Sequence, residues 1–160
     1  MLKIMLGTIC LMVCWISACV GQTNSTETIS NWGEDVQGVQ LSITMTNTII
    51  EIGSTITLVT VIKNTSTNSL QLAQIWQPAD YDVLLKSGAD KVYHLIQQPL
   101  VIRMKTMLTM SPGEQNVRII PATIGKNIEP GDYTVQATRS FSMNGTSFRL
   151  ESNLLKVQVK

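Results

Sequence analysis

Beyond residue 19 the chain contains no cysteine, since Cys10, Cys14 and Cys19 all lie near its start. The body therefore has no disulfide and no thiolate metal site, and must hold itself together by packing and hydrogen bonds alone. There is one histidine, His94. A zinc site needs several Cys or His ligands, so one histidine excludes it, and a Ser-His-Asp arrangement would have to be built on that single imidazole. Charged residues make up only 14% of the chain and aromatics 5%. Basic excess is also missing: removing Lys3 with a leader leaves Lys and Arg equal in number to Asp and Glu, with the cations scattered, so no nucleic-acid face is expected. No glycine-rich phosphate cradle and no calcium loop occurs, and we expect no cofactor, no metal and no catalytic residue. Asp80, Asp82 and Asp90 read as turn-capping residues near a hairpin, and His94 as a half-exposed strand residue.

What is present begins with an export signal. Met1-Leu2-Lys3 gives a short positive start, and Ile4 to Cys19 is an apolar run broken only by Gly7, Thr8 and Ser17. That run is short for a membrane span, and the polar stretch from Gly21 to Thr26 follows it at once. Ile16-Ser17-Ala18-Cys19 resembles the bacterial lipobox, an aliphatic residue and two small ones before the cysteine that takes the lipid. The resemblance implies a signal peptide over 1–18, acylation of Cys19, and a protein held on a membrane of the cell envelope; the alternative is an ordinary cleaved leader and a secreted immunoglobulin-like domain without a lipid anchor. With Val20 after the cysteine, that membrane would be the outer one in a host with two. Asn24, Asn64 and Asn144 begin N-x-Ser/Thr sequons, which matter only in a eukaryotic host.

Residues 19–36 are polar and turn-prone and read as a flexible tether. Over 37–160 short strands with period-two alternation follow one another without a helical pattern between them. Gln40 to Thr46 alternates Leu41, Ile43 and Met45 with Ser42, Thr44 and Thr46. Ser54 to Lys63 sets Ile56, Leu58, Thr60 and Ile62 against Thr55, Thr57, Val59 and Val61. Leu70 to Trp76 is extended, Tyr81 to Lys86 and Lys91 to Ile96 flank a hairpin turn, and Gln115 to Ile120 follows Ser111-Pro112-Gly113-Glu114. Tyr133 to Phe141 and Ser147 to Lys160 close the domain. Leu100 to Met110 reads either as a strand or as a packed crossing segment. The expected fold is all-β, a single antiparallel β-sandwich of about seven to eight strands.

Pro130-Gly131-Asp132-Tyr133-Thr134-Val135 resembles the tyrosine corner of immunoglobulin-like domains, which makes Tyr133 structural. Together with Val61-Ile62-Lys63-Asn64, Ala79-Asp80-Tyr81-Asp82-Val83, Gly88 and Ser111-Pro112-Gly113-Glu114, it gives an order similar to that of the bacterial intracellular proteinase inhibitor (BsuPI-like) domain. That resemblance implies an immunoglobulin-like sandwich and protease inhibition through an exposed loop. The residues themselves point first to a non-enzymatic binding module tethered to the membrane by its N-terminal lipid. Its partner would be an envelope protein or a protease. Flat rings suit a contact surface, which singles out Trp32, Trp76, Tyr81 and Tyr93. Trp76, Asp80 and Tyr81 form the expected partner-binding group, and the loops Asn64 to Ser69, Pro78 to Tyr81 and Met143 to Gly145 are the candidate contact loops.

Overall fold

The structure is a computed structural model and describes residues 31–75, 81–88, 91–95 and 105–160. Among these residues it is all-β, with eleven strands: β1 Val39–Thr44, β2 Ile49–Ile50, β3 Thr55–Asn64, β4 Leu70–Ile75, β5 Tyr81–Ser87, β6 Val92–His94, β7 Lys105–Met110, β8 Gln115–Thr123, β9 Gly131–Met143, β10 Thr146–Glu151 and β11 Leu155–Val159. The count exceeds the expected seven to eight for a local reason. The last run is broken at 152–154 into β10 and β11, and β2 is only two residues long, too short to show a period. Lys105 to Met110 is a strand, and the residues before it back to Leu100 lie outside the described ones.

Two sheets pack face to face. The small one has the order β1-β3-β8 and is antiparallel throughout. The large one is organised on β9, whose lower half pairs with β11 and β5, and whose upper half pairs with β10 and, through Ala73↔Ser142, with β4. β6 extends β5, β7 extends β4, and β2 adds in parallel to β11. With β1, β3 and β8 in one sheet facing β5, β9 and β11 in the other, the arrangement is that of an immunoglobulin-like sandwich.

Strand periodicity builds the core. Ile56, Leu58, Thr60 and Ile62 of β3 are all buried, and they meet Tyr133, Val135, Ala137, Arg139 and Phe141 from the inner face of β9. Burial of such rows supplies most of the stabilisation, at roughly 25 cal/mol per Å² of apolar surface. The outer face of β9 is not wet at its centre: Gln136 and Thr138 are also buried, because side chains from β5 and β10 lie over them.

Two asparagines fasten the sheets where cysteine is missing. Asn64, at the end of β3, is 0% exposed. Its Nδ2 donates to the carbonyls of Asn68 (2.8 Å) and of Met110 in the large sheet (3.0 Å), while its Oδ1 accepts from the backbone N–H (2.9 Å) and hydroxyl (2.8 Å) of Ser66. This removes Asn64 as a glycan acceptor, whereas Asn144 is exposed. Asn144 and Gly145 have φ of 52° and 80°, which fits a two-residue turn of the mirror-image type between β9 and β10. Asn153, in the β10–β11 connection, accepts from the Ile43 N–H at 2.8 Å and donates to the Ile43 carbonyl at 3.1 Å, taking the place of a neighbouring strand on the outer edge of β1.

Residues 31–36, assigned to the tether, lie against that same edge. Val36 bridges Val39, the Gly33 N–H donates to the Leu41 carbonyl, and the Ser42 hydroxyl donates to the Asn31 carbonyl. Gly33 passes so close to the Glu151 carbonyl that a Cβ would fall 1.7 Å from its oxygen, so no other residue fits there without backbone movement. Ser42, on the polar side of the alternation from Gln40 to Thr46, is buried beneath this segment.

Asn64→Ala is expected to destabilise the domain by about 3 kcal/mol in urea unfolding, because it strands several buried donors and acceptors at once. Thr67→Ala, at an exposed position of the same turn, is expected to change stability by less than about 0.5 kcal/mol.

Candidate functional site

Of the residues singled out by sequence, Ile16, Ser17, Ala18, Cys19, Trp76, Asp80 and Asp90 lie outside the described ones. Tyr81 does not offer a contact surface. Its side chain points inward from β5, is 4% exposed, and sits opposite Arg139 of β9 with the guanidinium carbon 5.2 Å from the ring centroid. Tyr133 opens β9. Its hydroxyl donates to the Glu129 carbonyl four residues upstream at 2.8 Å, and its ring meets Tyr93 edge-on at 6.1 Å. Burial holds the proton on the Tyr133 phenol beyond its ordinary range. Trp32 covers Lys63, whose ammonium lies 5.7 Å from the indole centroid.

The outer face of the large sheet is polar and interlinked. His94 Nδ1 and Asp82 Oδ1 are 2.8 Å apart across β5 and β6. Beside them the Lys86 ammonium donates to Gln136 Oε1 at 2.6 Å, Gln136 donates to the Ser152 carbonyl, and Arg149 donates to Thr138 Oγ1 at 3.1 Å while reaching Glu151 at 3.9 Å. A carboxylate orients an imidazole here, as in hydrolase triads. Among the described residues, however, no hydroxyl or thiol hydrogen-bonds to the other ring nitrogen, and the pair stands open to solvent. Each link in this face instead covers the centre of β9. No group of three His, Cys, Asp or Glu side chains that could hold a metal occurs among the described residues.

The small sheet presents the opposite chemistry. On its outer face Val61 pairs with Val117 and Val59 with Ile119, while Thr57 pairs with Pro121 and Thr55 with Thr123. Val117 is 59% and Ile119 67% exposed, Val59 and Val61 are half-buried, and the only charge on this face of β3 and β8 is Lys63 at one end. Sequence reasoning missed the surface because the alternation of Asn116, Val117, Arg118 and Ile119 points the apolar pair inward. Ile120 and Ala122, which are buried, set the opposite phase. Pro121 costs no ladder bond. The bonds of Asn64 with Glu114 and of Ser54 with Ile124 place the even positions of β8 towards β3, so Pro121 faces away from it.

At the end of the sandwich where β9 begins, the β5–β6 hairpin and β2 border a groove of about 940 Å³ on the large sheet. Lys86, Thr134 and Lys156 form its floor, and the exposed side chains of Ile49 and Val92 form its walls.

No protein-family model matches the chain, and no curated protein does. In structure it is similar to part of the native alpha-2-macroglobulin of Escherichia coli, at 18% identity over 76% of this chain and 16% of that one, TM-score 0.46. It is also similar to a sporulation control protein of Bacillus subtilis, at 11% identity over 78% of this chain and 50% of that one, TM-score 0.49. A third similarity is to an alkylpurine DNA glycosylase of Pseudomonas fluorescens, at 18% identity over 77% and 30%, TM-score 0.44. This chain spans half or less of each, and likenesses of this size carry no argument about activity.

The raised Tyr133 proton affinity fixes a sign. Above pH 10 the unfolded chain gives up this proton before the folded one does, so the folded state binds more protons and stability falls as pH rises until the folded phenol also ionises. Tyr133→Phe is expected to lose about 1 kcal/mol at neutral pH, through the missing bond to Glu129, and to show a shallower alkaline decline in urea midpoint.

Proposed function

We propose that this protein is a non-enzymatic binding module held on an envelope membrane by a lipid on Cys19, with the outer face of the small sheet as its contact surface. The observation that carries the reading is the row Val59, Val61, Val117 and Ile119, apolar and in part exposed, on a face almost without charge. Soluble monomers seldom display contiguous apolar surface without a use for it, and a flat β-face rimmed by threonines suits another protein better than a small substrate. A competing enzymatic reading would rest on the Asp82–His94 pair, to whose imidazole no hydroxyl or thiol hydrogen-bonds among the described residues. Anchoring rests on the lipobox-like Ile16-Ser17-Ala18-Cys19.

Two measurements test the two halves of this reading. Intact-mass spectrometry of the membrane fraction should give a chain that begins at Cys19 and carries acyl chains, and Cys19→Ser should abolish that species. A photo-reactive side chain placed at Val117 or Ile119 should yield a discrete cross-linked adduct in intact cells, whereas the same probe at Asn144, at a hairpin tip, should not. Equal cross-linking at all three positions, or none at any, would remove the small-sheet face as the contact surface.

A further inference from the structure

We infer that the end of the sandwich bearing Lys86, Lys91, Lys126, Lys156 and Lys160 lies on the membrane, with phosphates of anionic lipids seated between Lys86 and Lys156. This rests on the reading of Cys19 as the lipid-bearing residue and adds which face meets the lipid and by what chemistry.

Three features converge on this end. The first is charge. The loops and strand ends here carry those five lysines against Glu51, Glu129 and Asp132 among the described residues, whereas the opposite end carries Glu34, Asp35 and Glu114 against Lys63. The domain is thus a dipole whose positive pole matches an anionic lipid surface.

The second is the path of the chain. From Val36, beside Val39, residues 36 to 31 run antiparallel to β1, past Leu41 to Ser42, so that at Asn31 the chain is heading away from the acidic end and towards the lysine end. Eleven residues lie between Cys19 and Asn31, a reach of at most about 40 Å, which is enough for an anchor at Cys19 to meet the domain from this side.

The third is the groove. Lys86 and Lys156 both pair with Thr134, one from each side, so the two stems stand on the same face with the threonine hydroxyl between them and their Cα atoms roughly 10 Å apart. That separation lets two ammonium groups converge on one phosphate. The Lys86 ammonium also donates to Gln136, and among the described residues Asp132 is the one carboxylate lining the groove. Ile49, 57% exposed, and Val92, 49% exposed, stand on its walls, where they reach the apolar boundary beneath the headgroups.

The test uses the acylated chain reconstituted into phosphatidylethanolamine vesicles with or without phosphatidylglycerol and a headgroup spin-labelled lipid. A fluorophore is attached at Val92→Cys or, at the opposite end, Asn144→Cys. Quenching at Val92 should be several-fold stronger with phosphatidylglycerol than without it, should weaken with added salt, and should be small at Asn144 in both. Lys156→Glu, an exposed change that breaks no hydrogen bond, should reduce the difference, and its combination with Lys86→Gln should abolish it. Lys63→Glu at the far end should leave it unchanged.

Equal quenching at the two positions, or quenching indifferent to phosphatidylglycerol, would overturn the inference. If intact mass shows no acyl chain, the anchoring reading fails by itself, and flotation of the unacylated chain with the same vesicles then decides. Flotation lost in the lysine variants upholds the lysine face, and its absence from the wild type overturns it.

Discussion

The fold depends on one buried amide. Asn64 ends the central strand of the small sheet, and its side chain ties that strand to the following turn and to Met110 of the large sheet, using both hydrogens and both lone pairs of the group. A chain without cysteine in its body has few other ways to lock two sheets at a fixed offset, because apolar packing is directionless and tolerates sliding. Hydrogen bonds at full burial do not, since a shift of one residue would leave several polar groups dry. Asn153 repeats the device on the other side by holding β1 against the β10–β11 connection.

With the offset fixed, the faces acquire their characters. The central strand β9 is covered on both sides, from within by β3 and from without by the linked side chains of Lys86, Gln136, Thr138 and Arg149. The polar outer face of the large sheet is thereby engaged in holding the molecule together. On the small sheet Val117 and Ile119 stand exposed and Val59 and Val61 half-buried, with Trp32 over Lys63 at one end. Structure-bearing polar residues on one side and an uncharged face on the other leave the domain with a front and a back, and the lysine and carboxylate ends give it a top and a bottom.

Much of this was legible in the sequence. The period of two in Thr55–Lys63 fixed which residues of β3 are inside, and the turn formers at Asn64, Ser111 and Asn144 marked where strands end. Tyr133 was readable as structural because Pro130 to Val135 resembles the tyrosine corner of immunoglobulin-like domains. What could not be read depends on partners far along the chain. Asn64 is one of several residues in a polar turn until Met110, 46 positions away, is brought beside it. Tyr81 is an aromatic next to a turn until Arg139 is placed opposite it. Val117 and Ile119 lie in a stretch whose alternation is out of phase with its true inside, and only the pairing of β8 with β3 reveals this.

The margins of the small sheet have a bearing on crowding. On a membrane, as proposed, the protein would meet copies of itself far more often than in solution, and open strand edges are where such meetings turn into fibrils. Here one margin is filled by the amide of Asn153 and by the Asn31–Val36 segment, and the other carries Pro121, which has no N–H to offer an incoming strand. The sandwich thus keeps an apolar face open while its edges offer an incoming strand only an interrupted ladder.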